Sequence, residues 1–308
     1  EFGFDSIEAL MKDLSTGLKS FNERLDYNLN INFDGRTIVG DNPDDFNDRD
    51  YGNNDVRAKN GRTHGTHVSG IIAANRHNGI GMNGAASNGK IMAILNTPSG
   101  DEYDKDVALA VYYAVDNGAK VINMSFGKQF SPHSDWVRDA IAYAAEKDVL
   151  IVSASGNDGK NTDQINYFPN DQIDNGKEVS NTFLKVGASA PRYGSTMVAG
   201  FSNYGKNTVD VFAPGSQIYS TYPKESYEFA SGTSMAAPLV AGVAALVFSQ
   251  YPNLSAAQVK QILMTSGVSI NKKVSLESGT IVSFSGVSKS GKLINAYNAL
   301  VMASKLSK

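Results

Sequence analysis

From His64 onward, short continuous apolar runs alternate with stretches of 3.6-residue period, the pattern of strands and helices in turn. Residues 90–95, 120–124, 149–153, 183–188, 209–215 and 217–220 read as strands, the first as a buried one. Residues 105–117, 134–147, 255–264 and 292–302 read as helices, the first closed by Gly118 and the third opened by the Ser255 cap. An Ala-rich run over 235–248 reads as a buried helix with Pro238 in its first turn, and residues 274–286 as a hairpin. The prediction is an α/β fold of three layers, a mostly parallel β-sheet flanked by helices. Functional groups in such a fold gather at the carboxyl ends of the strands.

The chain before His64 is patterned differently. Apolar residues Ile7, Leu10, Met11, Leu14, Leu18, Phe21 and Leu25 recur at helical spacing, which predicts an amphipathic helix over 5–25 packing one face on the body. Residues 29–35 alternate like a half-exposed strand, and the Asp/Asn run 41–50 reads as a solvated loop, since its carboxylates lack the spacing of a calcium-binding EF-hand. Two regions follow: an appendage over 1–60 and a main domain over 61–308.

Composition narrows the chemistry. A net charge of −3 gives no basic field for nucleic acid or an anionic membrane, and the absence of cysteine excludes a thiol nucleophile and a disulfide framework. The apolar run 235–248 is too short for a membrane span, so none is expected. The opening Glu1-Phe2-Gly3-Phe4 has neither an initiating Met nor a leader pattern and reads as a processed or internal start.

Three segments carry reactive groups: Thr63-His64-Gly65-Thr66-His67, Ser155-Gly156-Asn157-Asp158 and Gly232-Thr233-Ser234-Met235. Singly, His64 reads as a surface histidine, Asn157 as a turn residue and Ser234 as a helix cap. Together they offer a base, an amide donor and a hydroxyl at a helix start, the equipment for acyl transfer. His64 and His67 share a helix face, but no third ligand follows at metalloprotease spacing, so His67 reads as structural. An esterase elbow is disfavoured because Gly232-Thr233-Ser234-Met235-Ala236 lacks its second glycine.

These motifs, with Asn123-Met124-Ser125-Phe126-Gly127 and Ala236-Ala237-Pro238, resemble the subtilisin-like serine proteases, the subtilase family, in the family's order from about Gly61 onward. The resemblance implies Ser234 as nucleophile, His64 as base and Asn157 as oxyanion donor. It implies that Ser125, Phe126 and Gly127 form one rail of a peptide-binding groove and Ala154, Ser155 and Gly156 the other. Small residues and Phe126 there imply an open apolar pocket suited to large side chains. The loop 75–81 resembles the family's calcium loop, with Asn78 as side-chain ligand, while no cofactor is required for the chemistry. Protein or peptide substrates, a propeptide partner and an extracellular or periplasmic place are also implied.

The chain departs from the family pattern at the Asp that fixes the imidazole, which belongs in an Asp-Ser/Thr-Gly turn before the histidine. Asp5-Ser6 lacks the following Gly, and in Asp34-Gly35 the Gly comes one position early. The expectation is that this Asp lies in an upstream segment, with the tail of an insertion over 5–60 between it and His64. The competing reading is a catalytically impaired body that binds peptides.

Overall fold

Apolar runs from His64 onward assemble into one parallel sheet between two helical layers in the computed structural model, which describes residues 6–57, 63–86, 88–97, 100–173 and 176–307. In chain order the elements begin with α1 (Ile7–Glu23), α2 (Arg36–Val39), α3 (His64–Ala73), α4 (Asp104–Asp116), β1 (Val121–Met124), α5 (Ser134–Glu146), β2 (Leu150–Ala154) and β3 (Phe183–Ser189). There follow β4 (Val211–Pro214), β5 (Ile218–Tyr222), β6 (Ser226–Ala230), α6 (Thr233–Gln250), α7 (Ala256–Ser266), β7 (Val268–Ser269), β8 (Lys273–Ser275), β9 (Ile281–Ser283), β10 (Lys292–Leu293) and α8 (Ala296–Leu306). The main sheet has the order β1-β2-β3-β4-β10-β7. Its pairs are parallel except the β10–β7 edge, while β5–β6 and β8–β9 are separate antiparallel hairpins.

Because strand side chains alternate between faces, β2 divides its residues between two cores. Ile151 joins Val107, Val111, Val137 and Ile141 under α4 and α5. Leu150 and Val152 instead join Val240, Val243, Leu263 and Ala299 under α6, α7 and α8. Burying each such aliphatic side chain contributes about 1.5–3 kcal/mol. Ser255 opens α7 with a capping box, its side chain accepting from Gln258 N–H while the Gln258 side chain accepts from Ser255 N–H.

Helix α6 passes through the middle of this construction. Ala236, Ala237, Ala241 and Ala244 are at most 1% exposed, so its backbone lies close against the sheet. At Gly242 an added Cβ would sit 2.6 Å from Ala85 Cβ, so only glycine allows that contact. At 18 residues α6 is long and apolar enough by composition to cross a bilayer, longer than the sequence suggested. Its burial in the domain core accounts for that apolarity.

Four expectations fail, the first three where a partner was needed. Residues 90–95 form no strand, and Ile91, Met92, Ile94 and Leu95 stay 37–45% exposed, because no described strand offers them a ladder. Residues 29–35 form turns, with Asn30 Oδ1 accepting from Asn32 N–H and Ile31 97% exposed. Helix α1 forms, but its stripe is not packed on the body: Ile7, Met11, Leu14, Leu18 and Phe21 remain exposed. The final helix starts at Ala296 because Lys292 and Leu293 are taken into the sheet as β10.

The loop over 41–50 is not simply solvated. The Asp41 carboxylate has no accessible surface and is ion-paired with Arg36 and with Lys105 Nζ, the latter at 2.5 Å, while Arg36 also pairs with Asp106 at 2.6 Å. Burial works against the Asp41 charge, but contact with Lys105 and Arg36 outweighs it and holds the carboxyl below its usual range. Buried charge ties this region to α4, alongside the Phe46 ring, which packs against Tyr112 and Trp136.

Candidate active site

Ser234 is the second residue of α6, and its environment follows from a proline. Pro238 lies in the second turn, not the first, and has no N–H to donate to the Ser234 carbonyl four residues earlier. Ser125 Oγ donates to that carbonyl instead, at 2.8 Å, and Ser234 Oγ donates to Ser125 O at 3.1 Å. The pair of bonds fixes the end of β1 against the start of α6. Gly232 is the residue that precedes the helix and has no side chain to cap it, so Ser234 is not a capping serine.

Asn157 faces the same helix start from the loop after β2. Its Oδ1 accepts from Thr233 N–H and from Thr233 Oγ1, both at 2.9 Å. That fixes the amide orientation and leaves Nδ2 as a donor on the other side. A Cβ placed on Gly232 would lie 3.4 Å from Asn157 Nδ2 and 3.6 Å from Ser234 N, so the two donors converge on one region beside Ser234. The helix dipole of α6 adds positive potential there.

Sequence reasoning missed Asn203, which holds this loop. It is fully buried, its Oδ1 accepts from Asp158 N–H at 3.1 Å and Lys160 N–H at 2.9 Å, and its Nδ2 donates to Ser155 O at 3.0 Å. Ser155 Oγ donates in turn to Asn203 O, and Gly156 N–H donates to Thr233 Oγ1 at 3.2 Å. Nothing in the local pattern around Asn203 announces a distant loop as its partner.

His64 is the first residue of α3, which packs on α6 through Val68, Ile71 and Met235. Its ring keeps accessible surface but is crowded by neighbouring atoms, and this desolvation, followed by repulsion from His67, lowers its pKa below 6.5. The ring makes no hydrogen bond to a described residue, and no described carboxylate is among the groups that shift its pKa. His67 is structural, as expected: it is 2% exposed, with Nε2 at 3.1 Å from both Ile218 O and Glu228 O. Asp34 is exposed and caps α2, accepting Arg36 N–H at 2.8 Å, while Asp5 lies outside the described residues.

The two expected rails flank Ser234, but the recess between them is not open. The ring of Tyr167 lies against Gly127 and Gly156, and Phe126 packs into the core beneath α4 and α5. Ala154 and Ser155 are buried and Ser125 is 7% exposed, so these side chains serve the frame. Asn78 sits in an exposed turn with its Oδ1 accepting from Ile80 N–H at 3.2 Å. No group of three His, Cys, Asp or Glu side chains is placed to hold a metal among the described residues.

Comparison with known proteins agrees with this geometry. A profile of the subtilase family matches residues 14–287. The chain is 40% identical over 221 residues to a thermophilic serine proteinase of Bacillus sp. (strain AK1), covering 71% of this chain and 49% of that protein. Thermitase of Thermoactinomyces vulgaris is 39% identical over 202 residues, covering 65% of this chain and 66% of its own length. The chain thus spans between half and two thirds of these relatives. Among solved structures, a protease of Pseudoalteromonas arctica superposes with a TM-score of 0.61 at 31% identity, over 78% of this chain and 70% of that one. Fervidolysin of Fervidobacterium pennivorans gives 0.62 at 30% identity, over 78% and 36%. On the extent of that profile match, residues 14–287, the chain belongs to the subtilase family.

Proposed function

We propose that the chain is the body of a serine endopeptidase. Ser234 Oγ attacks the carbonyl carbon of the scissile peptide bond as His64 takes its proton, and the same imidazole then returns the proton to the leaving amine. Water repeats the sequence to release the acyl group. The oxyanion of each tetrahedral intermediate accepts from Asn157 Nδ2–H and Ser234 N–H. The observation that carries the reading is the anchoring of Asn157 Oδ1 by Thr233, which frees Nδ2 beside Ser234 N. A donor placed before reaction costs no reorganisation when the charge develops, and one such donor contributes about 3–4 kcal/mol in subtilisin, a measured case of this family.

A second reading rests on His64 having no described carboxylate partner. Subtilisin without its triad Asp loses about 3 × 10⁴ in turnover. We propose that the carboxylate comes from a segment that adds a strand to the sheet edge at β1, where Val121, Ile122 and Asn123 are half-buried. Without that segment the chain binds peptides and cleaves them slowly. An extracellular place, protein substrates and a propeptide partner belong to the same proposal.

Hydrolysis of a fluorogenic peptide mixture by the chain and by Ser234→Ala tests both readings. Cleavage that disappears in Ser234→Ala and rises by orders of magnitude with the added segment supports the peptidase. Equal background rates in every sample leave peptide binding as the function.

A further inference from the structure

The recess between the two rails lies beside the nucleophile, and one ring closes it. Ser125, on the first rail, exchanges two hydrogen bonds with Ser234, and Gly156, on the second, donates to Thr233 next to it. On the resemblance to the family, a peptide whose carbonyl is attacked by Ser234 directs the side chain of that same residue between these rails. A Cβ built on Gly127 would fall 2.6 Å from Tyr167 Cε1, and one built on Gly156 would fall 2.4 Å from Tyr167 Cζ. One ring therefore touches the backbone of both rails at once. Its hydroxyl donates to Gly127 O at 3.2 Å, on the first rail.

The ring's backbone is held as firmly as its tip. Phe168 and Lys128 exchange N–H···O bonds of 2.8 and 2.9 Å, joining the segment after Tyr167 to the segment after Gly127. Lys185, buried in β3, donates from Nζ to Tyr167 O at 3.0 Å. Desolvation, then the nearby Asp158 charge, raises the Tyr167 pKa, so the hydroxyl stays a donor at any working pH. Gly156 has φ of 101° and Gly127 leaves no room for a Cβ, so neither rail can retreat by taking a larger side chain without disturbing the ring.

We propose that Tyr167 is the specificity-determining residue of this site: it fills the recess between the rails, so the substrate residue before the cut bond carries a small side chain, Gly, Ala or Ser. This replaces the expectation of a pocket for large apolar groups, and it rests on the peptidase reading of Ser234. Small residues on the rails do not leave space when a third segment occupies it.

The test uses two peptidyl diphenyl phosphonates that differ only in the residue before phosphorus, Ala or Phe. Ser234 Oγ displaces phenol from such a reagent, and the rate of adduct formation is read by intact mass. The expected result is at least tenfold faster labelling by the Ala reagent, a preference that Tyr167→Phe retains and Tyr167→Ala reverses. Labelling by the Phe reagent as fast as by the Ala reagent in the unaltered chain overturns the proposal, and this ratio decides it even if Tyr167→Ala does not fold. An unchanged ratio in a folded Tyr167→Ala also overturns it. No Ser234 adduct with either reagent, in any variant and with the added segment present, instead overturns the assignment of the nucleophile.

Discussion

The sheet with α6 and the chain before α3 treat apolar residues in opposite ways. Leu150, Val186, Val240 and Leu263 have no accessible surface, whereas Leu14 and Leu18 in α1 are 57% and 62% exposed. Both regions have clear hydrophobic periodicity, so periodicity sets the type of element but not its burial. Burial requires a facing surface of matching shape. The body has one, whereas the earlier region offers only Phe46 to the α4/α5 core and buries charge at Arg36, Asp41, Lys105 and Asp106. The two regions also treat carboxyl groups oppositely. Cations hold Asp41 below its usual range, whereas burial, then the Glu178 charge, pushes Asp171 up to about 7.

If the contrast is right, the largest stability loss in the earlier region comes from a charge and in the body from a hydrocarbon. Asp41→Asn leaves Lys105 buried beside Arg36 with no carboxylate between them and should cost about 3 kcal/mol, the low end for a broken buried pair because Arg36 keeps its pairing with Asp106. Leu263→Ala should cost about 2–5 kcal/mol through lost transfer energy and a cavity. Urea unfolding of both variants gives these values. A negligible cost for Asp41→Asn would mean that the ion cluster is not the anchor.

The two carboxyls should separate by pH. A depressed pKa contributes stability above the unfolded value of 3.8 that is lost as pH falls through the folded value, and Asp41 should follow this course. Asp171 has the opposite sign: the folded chain binds its proton more tightly, so its ionisation erodes stability as pH rises from 3.8 to about 7. The urea midpoint of Asp171→Asn relative to the unaltered chain should therefore improve from pH 4 to pH 8. A constant difference across that range would contradict the assignment. For His64 the lowered pKa places the acid limb of kcat/KM below pH 6.5, and a carboxylate brought to the ring should move that limb upward.

Smaller effects complete the ranking. Ser255→Ala removes one half of the α7 capping box and should cost about 1 kcal/mol by urea unfolding. Leu18→Ala should change stability by less than about 0.5 kcal/mol, since its side chain already meets solvent. A loss comparable to Leu263→Ala would show that the α1 stripe is covered in solution.

Much of the body was legible because its signals are local. The runs at 120–124, 149–153 and 183–188 became β1, β2 and β3 within a residue or two, and Ser255 opens α7 as its cap position predicted. The motif residues His64, Asn157 and Ser234 were visible as residue types, and two of them, Asn157 and Ser234, converge at the start of α6. The hairpin β5–β6 was half seen: Ser226-Tyr227-Glu228-Phe229 alternates polar and aromatic side chains, but the run is short and leads straight into the Gly232–Ser234 motif. The apolar run 90–95 misled because a buried strand needs a partner that no local pattern can supply.

The sequence by itself determined the family motifs, the α/β alternation and the reactive side chains, because each is written within a few consecutive residues. Only the tertiary structure decided which donors converge, through Thr233 on Asn157 and Ser125 on the carbonyl that Pro238 leaves free. It also decided that Tyr167 closes a recess whose own residues are small, and that Asp41 is a buried anchor instead of a solvated acid. The reason is physical: hydrogen bonding, burial and steric exclusion depend on what faces a residue across space, and those partners lie tens of residues away along the chain.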